Sequence, residues 1–299
     1  MNKRFFRGIL AGLAAVSMMS AATGCADPNK EADKSASKTT TEPYTKYSAE
    51  EEAENDNSSK LDPSLQKVYD NKKLVLGLDA SFPPMGFTDE SNEIIGFDID
   101  VAQEVCDRMG IELVKQPINW DTKEEDLKVG KIDCIWNGMS INPARAEVMN
   151  LSEPYMKNEM IFVVPADSDI KSMDDLSGKT VGVQTGSSAQ DILEASDLFE
   201  NITETPLEDN VTALNQMELG FSDAVFLDSV VANYLITSHN KNYVILDGNL
   251  ESEEYAIGFR KEDQTLRDEV QNQLHAMKED GKLAEISTKW FGSDVTTVQ

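Results

Sequence analysis

The residues best suited to chemistry lie in Ile132-Asp133-Cys134-Ile135-Trp136-Asn137-Gly138-Met139-Ser140-Ile141-Asn142-Pro143-Ala144-Arg145. Ile132 to Ile135 is short, mostly apolar and β-branched at both ends, which predicts a buried strand that stops at the turn-forming pair Asn137-Gly138. Asn142-Pro143 predicts a helix start, because Asn caps well and Pro at the first helical position gives up no hydrogen bond. A strand end running into a helix start gathers backbone N–H groups, the Ser140 hydroxyl and the Arg145 guanidinium, a set that suits a small anion. Arg145 can hold a carboxylate through two parallel charge-assisted bonds, each contributing about 1.5–3 kcal/mol when sheltered from water. The competing reading makes Arg145 a solvated helix residue paired with Glu147.

Three further places carry functional side chains just after apolar runs: Asp79 with Phe82, Gln184 to Ser188, and Asp228. Ligands of open α/β sheets sit beyond the C-terminal ends of the strands, so these places and the Arg145 segment converge if the runs are strands of such sheets. An Arg, two carboxylates, an aromatic wall from Phe82 and Trp120, and small donors complement a zwitterion that carries a side chain. Neither a nucleophile–base pair nor a metal-ligand spacing involving His239 or His275 is present, which predicts binding without chemistry and no metal or cofactor.

The elements that must position these residues alternate. Lys73 to Leu78 reads as a buried strand, and its end, Asp79 to Phe87, reads as a loop whose two prolines exclude helix and sheet. Asp98 caps a helix with Val101, Ala102, Val105, Cys106 and Met109 on one face and Gly110 at its end. Ile111 to Gln116 is a strand, with Trp120 in the loop beyond. After Arg145 comes the apolar run Met160 to Val164, and the alternation restarts: strand Lys179 to Val183, a helix from Ala189, a strand near Ile202 to Thr205, a helix Asp209 to Leu219, a strand Asp223 to Leu227, a helix from Asp228, and a strand Tyr243 to Leu246. Such alternation implies mostly parallel sheets. Tyr255 to Arg260 is a last strand. Two closing helices, through Leu266, Val270 and Leu274 and through Leu283, Ile286 and Trp290, have no sheet of their own and must cover the first unit. The chain then crosses between two units twice, which makes a hinge.

Composition bounds the partners. The chain has 299 residues, with 27 basic against 54 acidic, a net charge of −27. That balance disfavours nucleic acid and bare anionic membrane. Lys3, Arg4 and Arg7 precede an apolar run that is too short to span a bilayer, followed by Ala21-Ala22-Thr23-Gly24-Cys25, which reads as a lipoprotein signal peptide over 1–24 with Cys25 lipidated. Residues 25–61 are polar and aperiodic, a tether. Cys106 and Cys134, in apolar settings, are expected to be two buried thiols.

Taken in order, Asp79-Ala-Ser-Phe-Pro-Pro-Met-Gly-Phe87, Gly96-Phe-Asp-Ile-Asp100, Lys131-Ile-Asp through Ser140 to Arg145, Leu151-Ser-Glu-Pro-Tyr155, Gly178-Lys-Thr-Val-Gly-Val-Gln-Thr-Gly-Ser187 and Lys289-Trp-Phe-Gly292 resemble the polar-amino-acid solute-binding proteins of ABC importers, over roughly residues 62 to 294. The resemblance implies an α/β, two-lobed type II periplasmic-binding-protein fold, each lobe a mixed sheet flanked by helices. Residues 62–164 and the returning 254–299 would form one lobe, and 165–253 the other. It also implies that Arg145 grips the α-carboxylate of a free L-amino acid, helped by Ser140 and by backbone N–H groups near Gly138 and Ser188. Asp228 would take the α-ammonium and Phe82 and Trp120 would sandwich the side chain. Asp79, Asn137 and Gln184 would line the selectivity end, whether for cationic or neutral side chains, with Met139 and Ser187 in the same wall. The implied partners are the permease of an ABC importer and, through Cys25, the outer face of the cytoplasmic membrane of a single-membrane bacterium; the implied state is a monomer. Two alternatives share the fold. One is a dehydratase of cyclic acids such as arogenate, using Asp79 or Glu153 as general acid; the other is a ligand-sensing ectodomain.

Overall fold

The computed structural model describes residues 62–299. The expected signal peptide, Cys25 and the tether lie outside the described residues. Helix α1 (Ser64–Asn71) and strand β1 (Lys73–Leu78) are followed by a small antiparallel sheet of β2 (Ser81–Phe82), β3 (Gly86–Thr88) and β4 (Ile94–Ile95). The prolines of this segment sit in the turn between β2 and β3, so their lack of N–H groups costs no ladder bond. The expectation that they exclude sheet fails at the flanks of that turn.

Next come α2 (Phe97–Met109), β5 (Glu112–Pro117), α3 (Lys123–Lys128), β6 (Cys134–Ser140), α4 (Pro143–Val148), β7 (Met149–Leu151) and β8 (Met156–Pro165). The second alternation supplies β9 (Thr180–Gln184), α5 (Ser188–Ala195), β10 (Thr203–Leu207), α6 (Asn210–Glu218), β11 (Ala224–Asp228), α7 (Ser229–Ser238) and β12 (Tyr243–Ile245). Strand β13 (Glu251–Arg260), α8 (Gln264–Glu279) and α9 (Lys282–Phe291) complete the chain.

The large sheet runs in the order β10-β9-β11-β8-β13-β6-β1-β5. Its outer parts are parallel: β5, β1 and β6 form one half, and β10, β9 and β11 the other. Between them lie β8 and β13, antiparallel to each other through Met156–Met160 and Glu251–Tyr255 and antiparallel to their outer neighbours. Two long strands that pass from one half to the other are the crossings expected of a hinge.

Strands β6 and β13 depart from expectation in ways that shape the site. Strand β6 does not stop at Asn137-Gly138 but continues to Ser140 with every residue buried. Gly138 takes a positive φ of 56°, and the pairing with β13 slips between Ala256 and Gly258, so the turn signal is absorbed as an irregularity within the sheet. Strand β13 begins at Glu251, not Tyr255. Its first residues, Glu-Ser-Glu-Glu, carry no apolar period, and only the pairing with β8 makes them a strand.

One packed cluster belongs to the half around β9, and another runs from the β1 half to Leu214, Val225 and Val231 of the other half. Phe162 and Phe226, with ring centroids 4.5 Å apart, centre one cluster with Val181, Val183 and Leu193. The β1 half buries Leu74, Leu76, Phe97 and Val105, and fully burying such side chains stabilises by about 1.5–3 kcal/mol each. Helix α8 packs on α1, α2 and β7, and α9 on α2 and α8, so both closing helices return to the first half. There the Trp290 indole N–H and the Lys289 ammonium donate to Asp100 at 2.7 and 2.5 Å, and Phe291 lies 5.2 Å from Phe97. The C-terminal Lys-Trp-Phe-Gly run thus clamps the Gly-Phe-Asp-Ile-Asp helix start. Cys106 and Cys134 are buried free thiols, held by burial as the neutral form; the Cys106 thiol is pushed up to about 12.

Candidate functional site

Arg145 is placed by a helix start of the kind the sequence predicts. Asn142 accepts the Arg145 N–H at 2.8 Å, and Pro143 occupies the first turn. The guanidinium is folded back and donates to the Ser140 carbonyl at 2.9 Å with 5% of the residue exposed, which rules out a solvated residue paired with Glu147. Burial draws the Arg145 pKa down, and the charges of Glu124, Glu253, Asp191 and Asp228 work against that draw. Those carboxylates act on the guanidinium at a distance, with no ion pair to it among the described residues.

Asp228 ends β11 at the position that precedes α7, yet its side chain caps nothing. It accepts from the Asn158 amide at 2.8 Å and from the Tyr255 hydroxyl at 2.6 Å. Burial, and then the charge of Glu253, raise its carboxyl to about 7. A cation arriving here would hold it ionised. Between these groups lies a residue the sequence did not single out. The Glu253 carboxylate accepts from the Ser140 hydroxyl at 2.8 Å and from the Ser188 hydroxyl. Ser140 belongs to β6 and Ser188 to the first turn of α5, so one side chain ties the two halves of the sheet. Glu253 was missed because it sits in the polar start of β13.

The opposite end is built on the exit of β1. Asp79 accepts from the Ser81 N–H and from the Gln184 amide, both at 2.8 Å, while Asn137 accepts the Asp79 N–H at 3.0 Å. Gln184 in turn accepts from Asn210 at 3.2 Å. Burial pushes the Asp79 carboxyl to about 6, and the charges of Asp209 and Glu208 push the same way against those hydrogen bonds. Phe82 and Trp120 wall this space, 6% and 7% exposed. Lys123, also unforeseen, donates to the Trp120 carbonyl at 3.1 Å and across to the Gly186 carbonyl at 2.9 Å, with its ammonium 5.1 Å from the Trp120 ring centre.

Asp79, Phe82, Trp120, Asn137, Gly138, Ser140, Arg145, Gln184, Ser187, Ser188 and Asp228 all line one cavity, together with Met160. Its volume is about 20 Å³, space for roughly one water. The halves stand closed, joined by Gln184–Asp79, Lys123–Gly186 and Glu253–Ser188. Two expectations for this wall fail. The Met139 side chain turns to the other face of β6, into the cluster with Ile135 and Met149, because neighbouring strand residues point oppositely. The Gly138 N–H is not available to a ligand either, since it donates to Asp98 at 2.7 Å. Asp98 therefore does not cap α2. It is fully buried, accepts the Tyr155 hydroxyl at 2.9 Å as well, and holds the Gly138 turn in place. The Ser188 N–H lies in the first turn of α5, where no intrahelical acceptor exists. Glu153 lies outside the cavity, paired with His275 at 3.1 Å. Among the described residues no cluster of His, Cys, Asp and Glu could hold a metal ion, and no helix is long and apolar enough to cross a membrane.

Comparison with known proteins bears on this geometry. A family described as bacterial extracellular solute-binding proteins, family 3, matches residues 74–293. The arginine-binding extracellular protein ArtP of Bacillus subtilis is 30% identical over 225 residues, covering 74% of this chain and 86% of ArtP. The L-cystine-binding protein TcyJ of Escherichia coli is 28% identical over 234 residues, 78% of this chain and 87% of TcyJ. Among solved structures, a substrate-binding protein of an ABC uptake transporter from Streptococcus pneumoniae with bound histidine superposes with a TM-score of 0.76 at 38% identity, covering 78% of this chain and 98% of that one. These relatives are solute-binding proteins of the two-lobed type II architecture and not enzymes, so the dehydratase alternative is set aside.

Proposed function

Because the chain belongs to the bacterial extracellular solute-binding proteins, family 3, we propose that it captures one free amino acid with a cationic side chain between two lobes and delivers it to the permease of an ABC importer. The lobes are residues 62–164 with 254–299, and residues 165–253. The observation that carries the reading is that Arg145, set by β6 and α4, and Asp228, at the end of β11, line the same cavity from different halves of the sheet. A guanidinium and a carboxylate so placed match the two charged ends of an amino acid. Ser140 and the Ser188 N–H assist the carboxylate, and Phe82 and Trp120 hold the side chain.

The side-chain end favours a cation. Asp79 is buried with no cationic partner among the described residues, and Glu208 and Asp209 add negative potential there. Arginine and histidine are bound in related structures, from Thermotoga maritima (34% identity, TM-score 0.67, 71% of this chain and 99% of that one) and Streptococcus pneumoniae. For a ligand of roughly ten heavy atoms the best attainable binding is about 15 kcal/mol, so micromolar affinity at about 8 kcal/mol needs only part of it. The family is extracytoplasmic. The segment through Gly24-Cys25 supports a lipid anchor on the outer face of the cytoplasmic membrane, from which the polar residues 25–61 would tether the binding head.

Titration calorimetry against the common amino acids tests this reading. One site with arginine, lysine or histidine is expected, and Arg145→Ala should abolish the heat while leaving the far-ultraviolet spectrum intact. Absence of heat with every amino acid, or retained affinity in Arg145→Ala, would contradict it.

A further inference from the structure

Lys123 is only 3% exposed, yet it does not line the cavity. It opens α3 in the first half of the sheet, and its ammonium is shared between the halves. Within its own half it donates to the Trp120 carbonyl at 3.1 Å, lies 5.1 Å from the Trp120 ring centre and pairs with Glu124 at 3.2 Å. Across to the other half it donates to the Gly186 carbonyl at 2.9 Å.

Gly186 is shaped to receive it. Its N–H donates to the Gln190 side chain at 2.9 Å, and the next residue is braced by the Ser187 hydroxyl on the Gln184 carbonyl, so the turn into α5 is fixed within its own half. Gly186 has a positive φ of 68°, and the three atoms nearest to a Cβ placed there all belong to Asp121, two of them at 2.8 Å. Asp121 follows Trp120 in the first half. A side chain at position 186 would therefore hold the halves apart where Lys123 joins them.

Such a tie exists only while the halves are together. Burial, and then the charge of Arg145, draw the Lys123 ammonium down to about 8, with Glu124 and Asp191 working against them. A carboxylate bound at Arg145 offsets that repulsion, so ligand and tie favour each other.

We propose that Lys123 and Gly186 form a clasp that engages as the halves close over the ligand and sets how long the ligand stays, although neither residue lines the cavity. The inference rests on the amino-acid reading of the site. The ligand brings the halves together, and the clasp adds stability to that closed form alone. It thereby raises affinity by slowing release.

Calorimetry and stopped-flow binding of L-arginine, L-lysine and L-histidine to the full chain test this. Lys123→Met removes the ammonium and keeps most of the volume, and Lys128→Met removes the same charge from an exposed position of α3 as a control. Lys123→Met should bind about tenfold more weakly, the worth of one charge-assisted bond, with the loss in the dissociation rate. Its association rate and its melting temperature without ligand should match those of the unaltered protein, which a merely structural role would not give. Gly186→Ala obstructs closure from the other half and should also release ligand faster; it decides the matter if Lys123→Met does not fold. Release at the unaltered rate, or an equal loss in Lys128→Met, overturns the clasp while the amino-acid reading stands. If the unaltered protein gives no heat with any common amino acid, that reading fails and the clasp falls with it.

Discussion

Asp79 illustrates how one residue's environment sets a functional prediction. Burial raises its carboxyl to about 6, and a cationic side chain beside it favours the ionised form. Binding of such a ligand must therefore expel a proton below about pH 6, and affinity should fall as pH drops through that value. Calorimetry of arginine binding between pH 5 and 8 checks this. Asp79→Asn should remove the part of that fall centred near pH 6, leaving the part due to Asp228, whose carboxyl stands at about 7, and weaken arginine at least tenfold relative to a neutral amino acid such as glutamine. At this scale the sequence was informative wherever residue type alone limits the role. Arg145, Asp79 and Asp228 stand out as charged groups at strand ends, whereas Lys123 and Glu253 resemble any surface Lys or Glu until their burial is seen. The Asp228→Asn variant should lose amino-acid binding as Arg145→Ala does, because the ammonium would face a neutral amide.

Among the elements, the bend in β6 governs the cavity. Gly138 has a positive φ, and a Cβ there would meet Phe82 at 2.9 Å and Tyr255 at 3.2 Å. Gly138→Ala should destabilise by about 1–3 kcal/mol through backbone strain and overpacking, read as a lower urea midpoint, with weakened ligand binding because Phe82 is pushed. Asp98 holds the same bend. Burial raises its carboxyl to about 7, so between about pH 4 and 7 the folded chain keeps a proton that the unfolded chain releases. Stability from this group is then greatest at the acid end and declines as pH rises to 7. Asp98→Asn should flatten that decline in urea unfolding followed at pH 5 and pH 8. Helix positions were legible because capping chemistry is local: Asn142-Pro143 and Asp209 start α4 and α6 as the sequence implies. The polar start of β13 was not, because a strand made of Glu and Ser exists only through its partner β8.

For the whole molecule, the two crossings by β8 and β13 make closure the central event, and only the ligand's difference in affinity for the two forms can shift it. The return of α8 and α9 to the first half follows from amphipathic helices lacking a sheet, and was readable in advance. How tightly the halves close was not, since Gln184–Asp79 and Lys123–Gly186 join residues far apart in the chain. The most direct measurement is a diffraction structure of the protein crystallised with L-arginine. The account predicts the ligand's carboxylate on the Arg145 guanidinium, its ammonium within hydrogen-bond reach of Asp228, and its guanidinium against Asp79. A ligand bound elsewhere, or one that touches only one half of the sheet, would contradict it.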